Sequence, residues 1–184
     1  MSIKVTLNKL ERAGPKQEKI TIDACNLLEQ ALNHSTFPQK VQQAEFKASW
    51  HQSPERRDIQ LTNDEVLKLI LSGKEQSSEN DYEIDLHIRY KKLRHWYKPW
   101  SSTIGSTNLG KFPICTSYYF VNDCIKNADP ISLAAHFMHE WLHVAGFYHH
   151  GGNDARDDVA YVIGNIVHDI LEELTDASDE SLMI

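Results

Sequence analysis

The 184-residue chain is poor in cysteine and methionine, with three of each. Cys25, Cys115 and Cys124 are odd in number and lack zinc-finger spacing, so neither a disulfide framework nor a cysteine metal site organises the fold. Positive charge is also scarce: 19 Lys and Arg stand against 26 Asp and Glu, for a formal charge of −7. That balance argues against a nucleic-acid partner or an anionic membrane surface. The densest basic run, Lys91-Lys92-Leu93-Arg94, reads as the solvated end of a strand. No segment approaches the roughly 18 consecutive apolar residues of a membrane span. Met1-Ser2-Ile3-Lys4-Val5 lacks the charged and apolar regions of a signal peptide. These absences lead us to expect a monomer of a reducing, cytoplasmic compartment. With 41% hydrophobic residues the chain is long enough to bury a core as one domain.

Histidine, by contrast, is plentiful, with ten. Three of them fall in His139-Glu140-Trp141-Leu142-His143-Val144-Ala145-Gly146-Phe147-Tyr148-His149. Residues four apart on a helix share a face, with Cβ atoms roughly 5–6 Å apart, so His139 and His143 can offer two imidazole nitrogens to one ion. A third ligand further along a straight helix would point away. Gly146 can adopt positive φ, end the helix and let the chain double back to bring His149 to the same point. Three protein ligands with a fourth position left for water are what catalytic zinc takes, so Zn2+ is the expected cofactor. Glu140 adjoins His139 and cannot easily join that set. It can instead take a proton from the zinc-bound water and deliver it to a leaving amine. A bare pair of helical histidines is weak evidence. Requiring the glycine and the third histidine at fixed offsets lowers the chance expectation to roughly one in ten thousand. Glu172 or Glu173 is the alternative third ligand, which Gly146 and the offset of His149 disfavour. His136, one turn before His139, is read as a cleft residue, and His150 as pointing elsewhere.

Periodicity predicts an α+β chain. Residues 3–7 alternate as a first strand. Residues 21–32 carry Ile22, Cys25, Leu28 and Leu32 at helical spacing, with Thr21 or Asp23 near the cap. Phe37-Pro38 breaks that helix, a second strand lies within residues 41–50, and residues 51–58 form a polar loop. Thr62-Asn63-Asp64-Glu65 caps a helix that ends at Ser72-Gly73. Residues 82–90 alternate as a half-buried strand, with Asp85 and His87 on its polar face, solvated in preference to forming a second site. His95-Trp96-Tyr97-Lys98-Pro99-Trp100 is an aromatic connection. Residues 103–107 are a short strand and 114–121 the most β-prone run. Asp129-Pro130 opens the helix carrying the motif, Asp157-Asp158 caps a last helix ending near Leu174, and residues 175–180 are an acidic, frayed tail.

The eleven-residue pattern resembles the signature of the metzincin clan of zinc metalloproteases. The likeness is strongest over residues 103–164. Ile70-Leu71-Ser72-Gly73-Lys74-Glu75, Thr103-Ile104-Gly105 and Tyr161-Val162-Ile163-Gly164 look more narrowly like small bacterial metzincin-like proteins. The resemblance implies a zincin-like (metzincin-like) fold: a mixed twisted sheet above an active-site helix, with a short C-terminal helical part. It implies one catalytic domain over residues 1–184, the upper part about 1–146 and the lower about 147–184. It also implies a zinc endopeptidase with ligands His139, His143 and His149 and general base Glu140. A peptide or protein substrate would lie antiparallel along the edge strand near residues 103–107. In such proteins a methionine turn lies beneath the metal; here no methionine follows His149 before Met183. Val159-Ala160-Tyr161 is the segment placed to substitute, and Tyr161 matches the tyrosine that stabilises the oxyanion in some members. The missing methionine leaves a second reading open, a zinc-binding interaction module or pseudoprotease without turnover.

Overall fold

The computed structural model describes residues 2–52, 57–75, 80–93, 103–149 and 157–182. The chain is α+β, and its described elements run β1 (Lys4–Glu11), α1 (Pro15–Asn33), α2 (Phe37–Gln43), β2 (Ser49–Gln52), β3 (Arg57–Gln60), α3 (Asn63–Leu71), β4 (Glu83–Lys91), β5 (Gly105–Ser106), β6 (Ile114–Ser117), α4 (Tyr118–Asn127), α5 (Pro130–Val144) and α6 (Val159–Leu182). Four strands form a mixed sheet in the order β1-β4-β6-β5, and β2 and β3 form a separate antiparallel pair. The pairings β1–β4 and β4–β6 are parallel, whereas β5 runs antiparallel to β6 at the sheet's edge.

Strand β4 shows the alternation its sequence predicts. Ile84, Leu86, Ile88 and Tyr90 are fully buried, while Glu83, Asp85, His87, Arg89 and Lys91 are half-buried on the other face. The buried face joins a core containing Leu28 of α1, Phe137 and Trp141 of α5, and Ile163 and Ile170 of α6. Glu75 fastens this core. Its Oε1 accepts from Trp141 Nε1 at 2.8 Å and from the Asp85 backbone N–H at 3.2 Å, tying α5 to β4 through a carboxylate that is itself buried.

Several element boundaries differ from the local expectations, some through capping and some through tertiary packing. Helix α1 begins at Pro15, six residues before residue 21, because Gln17 reaches back to the Gly14 N–H at 2.8 Å and a proline in the first turn forfeits no helical bond. The expected break before Phe37-Pro38 is there, since α1 ends at Asn33, but the pair also opens a new helix, α2, with proline in its first turn and buried Phe37 and Val41 one turn apart. Of residues 41–50 only Ser49 and Trp50 are strand, and the expected loop at 51–58 begins and ends in the β2–β3 pair. Residues 114–121 are strand only to Ser117, whose Oγ accepts from the Tyr119 N–H at 3.3 Å and starts α4. Val121 and Cys124 then fall at helical spacing into the core, so burial overrides the β propensity of Tyr118-Tyr119-Phe120. Helix α6 continues to Leu182, although residues 172–177 are exposed. The aromatic run at residues 95–100, His150 and Met183 lie outside the described residues.

The three cysteines are free and buried. Burial pushes the Cys25 and Cys124 thiols up to about 12, which leaves them inert. Among the described residues no helix is long and apolar enough to cross a membrane.

Candidate metal centre

Helix α5 is launched by Asp129, whose Oδ1 accepts from the Ser132 N–H at 2.9 Å, with Pro130 next in the chain. It is closed by Gly146 at φ +105°, a conformation that side chains disfavour. The Gly146 N–H returns to the His143 carbonyl at 3.1 Å and the Phe147 N–H to the Leu142 carbonyl at 2.9 Å. The chain then reverses, and the β2 segment holds it in place. The Tyr148 N–H donates to the Ser49 carbonyl (3.1 Å), the His51 N–H to the Gly146 carbonyl (2.9 Å), and Trp50 Nε1 to the Ala145 carbonyl (2.7 Å). Two residues upstream of β2, the Lys47 backbone does the same for the start of α6, exchanging hydrogen bonds with the Asp157 carbonyl (2.8 Å) and the Val159 N–H (3.0 Å). One stretch, residues 47–51, thus fixes both chain segments that flank the third histidine.

The result is convergence. His139, His143 and His149 each offer a ring nitrogen, and these atoms lie within 4.8 Å of one another. Ring centroids are 5.1 Å apart for His139–His143, 5.3 Å for His139–His149 and 4.6 Å for His143–His149. Two of the rings also donate away from that point. His143 Nδ1–H goes to the Phe147 carbonyl at 2.8 Å and His149 Nδ1–H to Asp158 Oδ2 at 3.0 Å. These outer bonds fix the tautomers of His143 and His149, so that Nε2 carries the lone pair. Burial, followed by the neighbouring imidazoles, pushes His139 down to about 2, and burial lowers His143 as well. Both are neutral at pH 7 and available as ligands.

Glu140 points to a different partner. It is 4% exposed, and Thr107 Oγ1 donates to its Oε2 at 2.6 Å. Burial raises its carboxyl to about 7, with the Thr107 hydrogen bond opposing. His136 lies on the same side of α5, against Thr116 Oγ1 at 3.0 Å and edge-on to Phe120. It is buried and held neutral by desolvation, pushed down to about 3, and stands outside the histidine trio. A Cβ on Gly105 would collide with both Glu140 Oε1 and His136 Cε1, so β5 can pass this close only as glycine.

Tyr161, on the first turn of α6, packs its ring edge-on to His139 (4.5 Å) and stacked on His149 (5.0 Å, 27°), and is 43% exposed. Gly164, one turn on, lets α6 close against the Ala135 carbonyl behind His139. Glu172 and Glu173 stand apart from the trio: Glu172 faces His168 at 3.5 Å and Glu173 accepts from Lys40 Nζ at 2.8 Å. Asp85 and His87 share the half-buried face of β4, where His87 Nε2 donates to Glu11 Oε1 at 2.6 Å. The other close trio among the described residues, His168, Asp169 and Glu172, lies on the outer side of α6.

Sequence reasoning missed three contributors. Asp158 reads along the chain only as a cap, yet it orients His149 from nine residues away; an acid in the return of a His-rich motif is the available signal. Thr107 and the 47–51 segment carry none, because their roles arise from contacts between distant parts of the chain. No protein-family model matches the chain, and no curated protein and no solved structure matches it.

Proposed function

We propose that this chain is a zinc-dependent endopeptidase of the metzincin type on a zincin-like fold, with His139, His143 and His149 as the ligands of Zn2+ and Glu140 as general base. The observation that carries the reading is the convergence of three imidazoles, two of which have their other nitrogen already engaged. The donor set fits zinc: neutral imidazole nitrogen suits its borderline softness, three such ligands leave a position open, and His143 and His149 have the outer partner that metal-bound histidines use. Zinc, when bound, supplies Lewis acidity that polarises a carbonyl and acidifies water.

The remaining chemistry belongs to the chain. Glu140, poised near neutrality by burial, has a proton affinity suited to accepting the proton of an attacking water and returning it to the leaving amine. The Tyr161 hydroxyl is assigned to the charge that develops on the carbonyl oxygen. Strand β5 has β6 on one side and no described strand on the other, so a substrate backbone can add to it antiparallel. Where metzincins carry a methionine turn, we assign the same supporting role to the first turn of α6, because the Tyr161 ring packs against both His139 and His149.

The test is Glu140→Gln, which should keep about one zinc per chain and lower peptide hydrolysis by roughly 10²–10⁴-fold. Tyr161→Phe should lower kcat by roughly 10²-fold with zinc content unchanged. Wild-type protein that carries no zinc after chelator-free purification would sink the proposal. The near-complete enclosure of Glu140 favours one alternative, a zinc-holding interaction module without turnover. A zinc-loaded wild type that cleaves nothing in a broad peptide library, yet binds one protein tightly, would establish that reading instead.

A further inference from the structure

Residues 105–110 run as a strap along α5. At one end Gly105 and Ser106 pair with Thr116 and Cys115 of β6, and the Ser117 N–H donates to the Ile104 carbonyl at 2.8 Å. At the other end the Gly110 N–H donates to the His143 carbonyl at 2.8 Å, and the Lys111 N–H closes the turn on the Asn108 carbonyl at 3.0 Å. Thr107 stands between these anchors with its hydroxyl on Glu140 Oε2, and Oε1 of the same carboxylate fills the space where a Cβ on Gly105 would be. Both oxygens of Glu140 are therefore set by a segment anchored in the sheet, although Glu140 itself belongs to the helix.

The last torsion of a glutamate is broad, and burial alone does not choose an angle for the carboxylate. A short hydrogen bond from a donor fixed at both ends does choose one. We propose that Thr107 is the positioning residue for Glu140, holding the carboxylate in the one orientation from which it exchanges a proton with a reactant. The kinetic consequence rests on the peptidase reading above, whereas the geometric one does not. Gly105 is the complement of Thr107: it admits the carboxylate that Thr107 then orients.

Thr107→Val preserves shape and removes the donor; Thr107→Ser restores it; Thr107→Ala is the second donor-free variant should the valine form fail to fold. With about one zinc retained per chain, the valine variant should hold KM within about threefold and lose roughly 10–100-fold in kcat, as misplacement of a reacting group does. The serine variant should recover most of that loss. Crystal structures of the zinc-loaded proteins supply a readout independent of turnover: the Glu140 carboxylate keeps its orientation in wild type and Thr107→Ser, and rotates or disorders in Thr107→Val. An unmoved carboxylate in the donor-free variants overturns the proposal, as does a serine variant that fails as badly as the valine one. A carboxylate that is ordered in wild type and released in Thr107→Val, with no hydrolysis by either, upholds the positioning role and refutes the peptidase reading.

Discussion

Two histidine–carboxylate contacts in this chain, His87 with Glu11 on the sheet and His149 with Asp158 beside α6, have similar lengths of 2.6 and 3.0 Å and different consequences. On the sheet, Glu11 is the centre. Arg89 Nε and Nη2, His87 Nε2 and Lys9 Nζ all donate to it, and these bonds, that of Arg89 foremost, hold its carboxyl far below the usual range. The cluster is electrostatically saturated by its own cations, on a half-buried face. Beside α6, Asp158 is buried, and it belongs to an arrangement in which two of three imidazoles give an N–H outwards and all three bring a ring nitrogen close to the others. Three lone pairs facing one point form an arrangement that a cation stabilises. The contact between histidine and acid is common to both regions; only the direction in which the other ring nitrogen points separates an ion-pair cluster from a ligand set.

Substitutions in the two regions can break that contrast. The largest effect is expected from His143→Ala, which should abolish stoichiometric zinc binding and the zinc-dependent rise in thermal midpoint, while His87→Ala leaves both unchanged. Elemental analysis and a melting curve with and without zinc check this. Equal loss in the two variants would show that the histidine trio is not the metal site.

A smaller effect should follow from Asp158→Asn, which keeps the shape but weakens the acceptor for His149. Zinc affinity should fall by roughly 10–100-fold, the range of an outer partner, measured by competition with a chelator of known strength. Glu11→Gln removes a carboxylate of similar contacts from the sheet and should leave zinc affinity as it was.

The subtlest contrast lies in pH dependence, because the two glutamates are shifted in opposite directions. The folded value of Glu11 lies below its ordinary 4.5, so its contribution is present above pH 4.5 and is lost as the pH falls. Glu140 is raised to about 7, so between pH 4.5 and 7 the folded chain holds a proton that the unfolded chain has released, and stability declines as pH rises through that window. In metal-free protein, urea titrations should therefore show Glu140→Gln gaining on wild type from pH 4.5 to 7. Glu11→Gln should lose ground to wild type as the pH rises towards 4.5 and keep a constant deficit above it. His139, lowered to about 2, adds stability that disappears in both variants as the pH drops below 6.5. Parallel curves for the two glutamine variants would contradict the burial of Glu140.

Much of this organisation could be read along the chain, wherever the physics is local. The alternation of Glu83–Lys91, the Thr62 capping box of α3, the Asp129-Pro130 start of α5 and its stop at Gly146 depend on side chains within a turn or two of one another. The expected partition failed where a distant partner decided. Tyr118-Tyr119-Phe120 has strand propensity, yet helical spacing buries Val121 and Cys124. Nothing in the sequence around Ser49 and His51 reveals them as the splint of the Gly146–His149 return.

By itself, then, the sequence determined the helix face shared by His139 and His143, the glycine that ends it, and an acid beside the first histidine, all consequences of helical period and backbone freedom. Only the tertiary structure decided the rest. It placed His149 with the pair, turned the Phe147 carbonyl and Asp158 onto the imidazoles, and set Thr107 and Gly105 around Glu140. Those placements join segments that are remote along the chain, and burial together with hydrogen-bond satisfaction across the packed core brings them together.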